Sequence, residues 1–157
     1  MKIYFAGSIR GGRADVGLYR QLIRHLGNFG KVLTEHIGEP DLDTTGEDEL
    51  PDQHIHNRDM KWLRSSQLMV AEVTTPSLGV GYEIGRAIEE GKPVLCLFRS
   101  RKGKKLSAMI AGSPDLTLCN YRTVEEAKLA IDRFFSVHRG HVPAWFSRRG
   151  ASELEPS

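Results

Sequence analysis

This 157-residue chain has little to staple it, anchor it or give it a field of one sign. It has two cysteines, Cys96 and Cys119, both inside apolar runs and without a spacing that suits zinc or a redox pair. Both read as buried free thiols of a reducing compartment. No apolar run approaches the roughly 20 residues a bilayer span needs. Met1 to Gly7 is too short for a signal h-region and leads straight into a strand. Lys and Arg number 22 against 20 Asp and Glu, a net charge of +2 spread along the chain, so there is no basic footprint for a nucleic-acid polymer. No internal repeat is present. These absences argue against a disulfide scaffold, a membrane span and a charged-tail protein. What remains is one domain, cytosolic or nucleocytoplasmic, long enough to bury roughly 70% of its unfolded surface.

What is present is an alternation of short apolar runs and helical periodicities. Ile3 to Ala6 is a strand, ended by Gly7-Ser8-Ile9-Arg10-Gly11-Gly12, whose backbone can approach a ligand closely. A helix runs from about Ala14 to Leu26, with Val16, Tyr19, Leu22, Ile23 and Leu26 on one face. Lys31 to Thr34 is a second strand. Gly38 to Asp52 is acidic and poor in apolar residues, without the ligand spacing of a calcium loop. Gln53 to Ser66 is a helix. Its His54 and His56 are two apart and do not share a face, which disfavours a metal pair. Its Asp59, taken alone, is an ordinary solvated carboxylate. Leu68 to Ala71 is a third strand. Thr75-Pro76-Ser77-Leu78-Gly79-Val80-Gly81-Tyr82-Glu83 turns from it into a helix closed by Gly91 and stopped by Pro93. Pro93 to Phe98 is a fourth strand, followed by the basic stretch Arg99 to Lys105 and a short helix or turn at Leu106 to Ile110. Leu116 to Tyr121 is a fifth strand, and the capping box Thr123-Val124-Glu125-Glu126 opens a last helix to about Val137. Residues 139–157 read as a mobile tail to a catalytic domain of residues 1–138.

Five strand–helix alternations predict an α/β fold: a single flavodoxin- or Rossmann-like three-layer domain. Its five-stranded parallel sheet has the order 2-1-3-4-5, with helices on both faces. Ligands bind such folds at the carboxyl ends of the strands, where the order switches, here between the first and third strands. The two Gly/Ser-rich stretches leave those two strands, so they are expected to meet. Helix N-termini attract anions, and a Ser with two Gly there suits a phosphate. Glu83 then has an ordinary reading, a carboxylate favouring the helix dipole, and a chemical one, a reactive carboxylate beside a sugar phosphate. No Gly-Lys-Ser/Thr makes a Walker A loop. Gly79, Gly81 and Gly85 miss the dinucleotide spacing.

Several of these stretches are collinear with a known family. Tyr4-Phe5-Ala6-Gly7-Ser8-Ile9-Arg10-Gly11-Gly12, Gly30-Lys31-Val32-Leu33-Thr34-Glu35-His36, Val70-Ala71-Glu72-Val73, Pro76-Ser77-Leu78-Gly79-Val80-Gly81-Tyr82-Glu83 and Leu106-Ser107-Ala108-Met109-Ile110 closely resemble the deoxynucleotide N-hydrolases of the nucleoside 2-deoxyribosyltransferase superfamily. The likeness covers about Lys2 to Phe135 and fades in the acidic loop and the tail. It implies cleavage of the N-glycosidic bond of a deoxynucleoside monophosphate, through a covalent glycosyl-enzyme, without a metal or other cofactor. Carried over by motif, Glu83 is the nucleophile at C1', Asp59 the second catalytic carboxylate, and Tyr4 lies against the sugar. Gly7, Ser8, Ile9, Arg10, Gly11, Ser77 and Gly79 line the nucleotide and phosphate pocket. Ser107 and Met109 reach the pocket from the other subunit of a homodimer. A ribonucleotide N-glycosidase of the cytidylate type, a deoxyribosyltransferase and a non-catalytic nucleotide-binding module are the alternatives.

Overall fold

The structure, a computed structural model, describes residues 1–9, 15–38 and 50–138. Arg10, Gly11, most of the acidic stretch and the tail lie outside the described residues. Five strands, β1 (Lys2–Ala6), β2 (Lys31–Val32), β3 (Leu68–Glu72), β4 (Val94–Arg99) and β5 (Thr117–Tyr121), form one parallel sheet in the order β2-β1-β3-β4-β5. The connecting helices are α1 (Val16–Leu26), α2 (Asp52–Ser65), α3 (Leu78–Glu89), α4 (Ala108–Ala111) and α5 (Val124–His138), with a 3-10 turn at Glu35–Gly38 after β2.

The two-residue period of the strands sorts the core into two layers. Ile3, Phe5, Leu68, Val70, Leu95, Leu97 and Tyr121 face one way and pack with Tyr19, Leu22 and Leu26 of α1 and Ala127, Ile131 and Phe135 of α5. Tyr4, Ala6, Met69, Ala71, Val94, Cys96 and Phe98 face the other way, against Met60 and Leu63 of α2 and Val80, Ile84 and Ala87 of α3. Each large side chain buried in these layers contributes about 1.5–3 kcal/mol relative to exposure. The register is consequential for function, because it aims the Tyr4 side chain at α2 and α3. Cys96 is buried and Cys119 half-buried, both as free thiols.

Several boundaries differ from the sequence expectation, most by a residue or two. Strand β2 ends at Val32, two residues early. Thr34 continues the pairing with its side chain: its Oγ1 accepts from the Phe5 N–H at 3.0 Å and donates to the Phe5 carbonyl at 2.6 Å. Helix α3 begins at Leu78, well before Ile84, because the Ser77 Oγ caps it by accepting from the Val80 N–H at 3.3 Å. Much of the stretch expected as a turn is therefore already helix. Helix α2 ends at a cap supplied from elsewhere: the Lys92 ammonium donates to the Arg64 and Ser66 carbonyls at 3.1 and 2.8 Å, satisfying two acceptors that the helix end leaves open. Gly91 closes α3 with φ of +68°, a conformation that favours glycine.

Candidate active site

The carboxyl ends of β1 and β3 open into a cavity of about 600 Å³, of the size that holds a small organic ligand. Strand β1 feeds Gly7 and Ile9 into its wall. Helix α2 gives Asp52, Ile55, His56, Asp59 and Met60. The β3–α3 junction gives Pro76, Ser77, Leu78, Gly79, Val80, Tyr82 and Glu83. The two Gly/Ser-rich stretches thus meet at the switch point, as the strand order requires.

Glu83 sits in the second turn of α3, on the face turned toward β1. Its Oε1 accepts a hydrogen bond from the Tyr4 phenol at 2.9 Å. Burial pushes the Glu83 carboxyl up to about 7; the Tyr4 hydrogen bond pulls it down and the nearby Asp59 charge raises it further. The Tyr4 phenol is driven far above its ordinary range by burial, then by the charges of Glu83 and Asp59, and so stays a donor. Asp59 is not the solvated helix carboxylate of its isolated reading. Its side chain is only 20% exposed, and Arg58 holds it through Nη2 at 2.9 Å and Nε at 3.0 Å, both to Oδ1. Arg58 in turn lies 4.7 Å above the Trp62 ring, a cation–π contact that fixes the guanidinium.

The start of α3 presents backbone donors. The first-turn N–H groups of an α-helix have no acceptor within the helix. Val80 uses the Ser77 hydroxyl and Gly81 bonds the Ser77 carbonyl at 3.1 Å. The Leu78 and Gly79 N–H groups are left for a ligand, with the helix dipole behind them. Ser77 therefore acts first as a cap. Gly7 has no room for a side chain: a Cβ there would stand 2.9 Å from the Tyr19 ring. The Tyr19 hydroxyl accepts from the Ser8 N–H at 3.1 Å. Ser8 is fully buried beside the cavity without lining it. Ser107 and Met109 are exposed on α4, Met109 by 83%, and do not line this chain's cavity.

Residue-by-residue reading of the sequence missed one feature of the rim. The His56 Nε2 and Tyr82 hydroxyl are 3.2 Å apart, with ring centroids at 5.8 Å, so α2 and α3 are bridged above the carboxylates. Spacing was the available signal: His56 is three residues before Asp59 and shares its helix face. Among the described residues no group of three or more His, Cys, Asp or Glu is placed to hold a metal ion. None of the described helices is long and apolar enough to cross a membrane.

A carboxylate aimed into a cavity from a helix, with a second carboxylate beside it, suits glycosidic-bond chemistry. The chain belongs to the nucleoside 2-deoxyribosyltransferase family, whose profile matches residues 3–129. Among its relatives is the 5-hydroxymethyl-dUMP N-hydrolase of Mus musculus, 49% identical over 140 residues, which cover 87% of this chain and 80% of the mouse protein. A Nematostella vectensis protein, provisionally named 2'-deoxynucleoside 5'-phosphate N-hydrolase 1, is 59% identical over 116 residues, covering 71% of this chain and 77% of its own. The solved structure of the CMP N-glycosidase BcmB of Clostridium botulinum superposes with a TM-score of 0.63 at 15% identity, over 85% of this chain and 99% of that one. At that identity it shows a shared fold.

Proposed function

We propose that this chain hydrolyses the N-glycosidic bond of 2'-deoxynucleoside 5'-monophosphates, releasing free base and 2-deoxyribose 5-phosphate. The first substrate to test is 5-hydroxymethyl-dUMP, for which the mouse relative is named. The observation that carries the reading is the Tyr4–Glu83 hydrogen bond beside the cavity, with Asp59 within electrostatic reach of both.

The ionised Glu83 carboxylate bonds to C1' as the C1'–N bond breaks. The bonding pair leaves with the base, which takes up a proton from solvent; the water that later adds to C1' returns one to solvent, so none is gained or lost overall. Positive charge builds on the sugar ring in between, and a buried carboxylate against C1' stabilises it. Water then attacks C1', its oxygen staying with the sugar and Glu83 leaving as the carboxylate. A 2-deoxy sugar lacks an electron-withdrawing 2'-oxygen, so its oxocarbenium forms more readily. Tyr4 holds Glu83 in place through its phenol and crowds the 2' side of the ring, which favours deoxy substrates. Asp59, held by Arg58, orients the sugar and serves the leaving base. The phosphate sits on the Leu78 and Gly79 N–H groups, with Gly7 and Ile9 across the cavity, and fixes C1' over Glu83; Arg10 and Gly11, outside the described residues, are its further ligands by family motif.

The functional unit in this reading is a homodimer. Leu78, at the cavity mouth, is 97% exposed and Met109, on α4, 83%, large apolar side chains that a second copy would cover. Ser107 and Met109 would close the partner's pocket. In this reading the activity is cytoplasmic and nuclear.

The test is product analysis with wild type and Glu83→Ala on 5-hydroxymethyl-dUMP, dUMP, UMP and the matching nucleosides, alone and with a second free base. Free base from deoxynucleoside monophosphates by wild type alone is the expected result. In rapidly quenched wild type, intact-mass analysis should find 2-deoxyribose 5-phosphate attached to Glu83. Sugar transfer only when a second base is present would replace hydrolysis with transferase chemistry. No base release from any substrate would leave a nucleotide-binding module.

A further inference from the structure

Two side chains at the rim of the cavity have no task in the proposed mechanism. His56 of α2 and Tyr82 of α3 both line the cavity, and both are exposed. The His56 Nδ1 lies 3.1 Å from the Asn57 Oδ1, and the His56 Nε2 lies 3.2 Å from the Tyr82 hydroxyl. An amide oxygen can only accept, so the single hydrogen of a neutral ring sits on Nδ1. Nε2 is then an acceptor, and the Tyr82 O–H donates to it. A phenol has one hydrogen. With that hydrogen directed to His56, the Tyr82 oxygen meets a ligand through its lone pairs alone.

The place of the pair follows from the two helices. His56 precedes Asp59 by three residues, so it stands on the same face of α2, about 4.5 Å nearer the helix start. Tyr82 is one residue before Glu83 and one turn after Leu78 on α3. In the proposed reaction Glu83 approaches C1' from one side and the base departs on the other, where Asp59 serves it. A base so placed extends along α2 toward His56, with Tyr82 across from it and Ile55 supplying an apolar wall. The sugar and the phosphate are held elsewhere, by Glu83 with Tyr4 and by the start of α3. The edge of the base is what remains for the His56–Tyr82 pair.

Resting on the reading of the cavity as a deoxynucleotide site, we propose that Asn57, His56 and Tyr82 select the base: the Tyr82 oxygen accepts a hydrogen bond from a substituent that donates, and a hydroxyl carried one carbon off the ring suits that role. Tyr82 touches the substrate in this account and sets specificity. His56 is a positioning residue that fixes the direction of the Tyr82 O–H, and Asn57 fixes the ring hydrogen of His56. A methyl group in the same place has no hydrogen to donate. A formyl group offers only an acceptor, which would face the Tyr82 lone pairs. A site that hydrogen-bonds a substrate hydroxyl rejects the analogue lacking it more sharply than an apolar pocket rejects by size.

The test sets 5-hydroxymethyl-dUMP against dTMP and 5-formyl-dUMP. A formyl group also makes the base a better leaving group, so binding is read beside turnover. Calorimetry with Glu83→Ala, which leaves the nucleotides intact, should find 5-hydroxymethyl-dUMP bound about five- to tenfold more tightly than either analogue, the worth of one hydrogen bond. Wild type should show the same preference over dTMP in kcat/KM. Tyr82→Phe keeps the ring and removes the oxygen, and should bring both preferences to within about twofold of unity. His56→Leu, in the Glu83→Ala background, frees the Tyr82 hydrogen to turn toward the ligand, so 5-formyl-dUMP should gain on 5-hydroxymethyl-dUMP. His56→Gln, whose side-chain carbonyl can accept from Tyr82, should restore the original order. A merely structural His56 would weaken all three nucleotides alike. Equal binding of the three with the rim intact, tighter binding of 5-formyl-dUMP, or a preference that survives Tyr82→Phe would each overturn the proposal. Absence of base release by wild type, with the calorimetric order as expected, would defeat the hydrolase reading alone. Failure to bind any of the nucleotides would defeat the reading of the cavity and the proposal with it.

Discussion

Burying the Glu83 carboxyl beside Asp59 makes its charged form harder to hold in the fold than in water, with one consequence for rate and an opposite one for stability. In the proposed mechanism Glu83 must be ionised, so kcat/KM should rise with pH through about 7 and level off above it. Stability runs the other way. The carboxyl titrates near 4.5 in the unfolded chain and near 7 in the folded one, so between those values the native state holds more protons. Its contribution is fully present below about 4.5 and is lost as pH climbs through about 7. Glu83→Gln should therefore abolish base release and, at pH 8, stabilise the fold by about 1–3 kcal/mol relative to wild type. The gain should vanish near pH 4. Urea unfolding at the two pH values checks this. Tyr4 has the reverse effect on the same group, since its hydrogen bond favours the carboxylate. Tyr4→Phe should move the rising limb of the pH–rate profile upward and cut kcat/KM at pH 7 by about 10–100-fold. A proportionate loss at every pH, with the limb unmoved, would make Tyr4 a steric element alone.

Helix α3 carries two tasks at its first turn, and substitution of its cap can separate them. Ser77→Ala removes the acceptor of the Val80 N–H, costing about 1 kcal/mol of stability. Ser77→Asp keeps a capping oxygen, which should preserve the melting temperature, but sets a carboxylate against the proposed phosphate site. KM for the monophosphate should then rise at least about tenfold from like-charge repulsion, with Ser77→Ala much milder. Thermal melts beside Michaelis kinetics distinguish the two effects. This helix also marks where local reading stops. The parallel sheet, its order and the meeting of two Gly/Ser stretches were legible, because short continuous apolar runs alternating with helical periodicities are local signals. The start of α3 was not: Gly79 and Gly81 read as turn, while the Ser77 cap and the packing of Val80 and Ile84 on the sheet override that preference. Nor was the shielding of Asp59 legible from its own neighbourhood. It depends on Arg58 lying between Asp59 and the Trp62 ring. The inner partners of Glu83 depend on which way β1 faces. The roles of Glu83, Asp59 and Tyr4 came from family motifs, and the geometry adds a phenol-to-carboxylate bond that motifs do not state.

The charge of the whole molecule is nearly balanced, but its placement is not. Arg101, Lys102, Lys104 and Lys105 are exposed around Gly103 and enter no described ion pair. Removing these four charges would take the chain from +2 to −2. The loop leaves β4 at the carboxyl edge of the sheet, the same edge onto which the cavity opens, and leads into Ser107 and Met109. Solvated cations cost nothing in desolvation and add little to stability, so what they offer is a field. A dianionic substrate approaching that edge meets positive potential over about one Debye length, roughly 8 Å at physiological salt. In the dimer reading, Ser107 and Met109 of one subunit carry the loop toward the partner's cavity mouth, and two loops serve two sites. Replacing the four residues by Ser should lower kcat/KM for a deoxynucleoside monophosphate about three- to tenfold at low ionic strength, leaving kcat and the melting temperature unchanged. The deficit should close as salt is raised toward about 0.5 M, where the field is screened. Sedimentation at the same salt concentrations separates steering from assembly. A dimer that dissociates on loss of the loop charges would make them interface residues, whereas an intact dimer with a flattened salt dependence is the outcome expected of a guiding field.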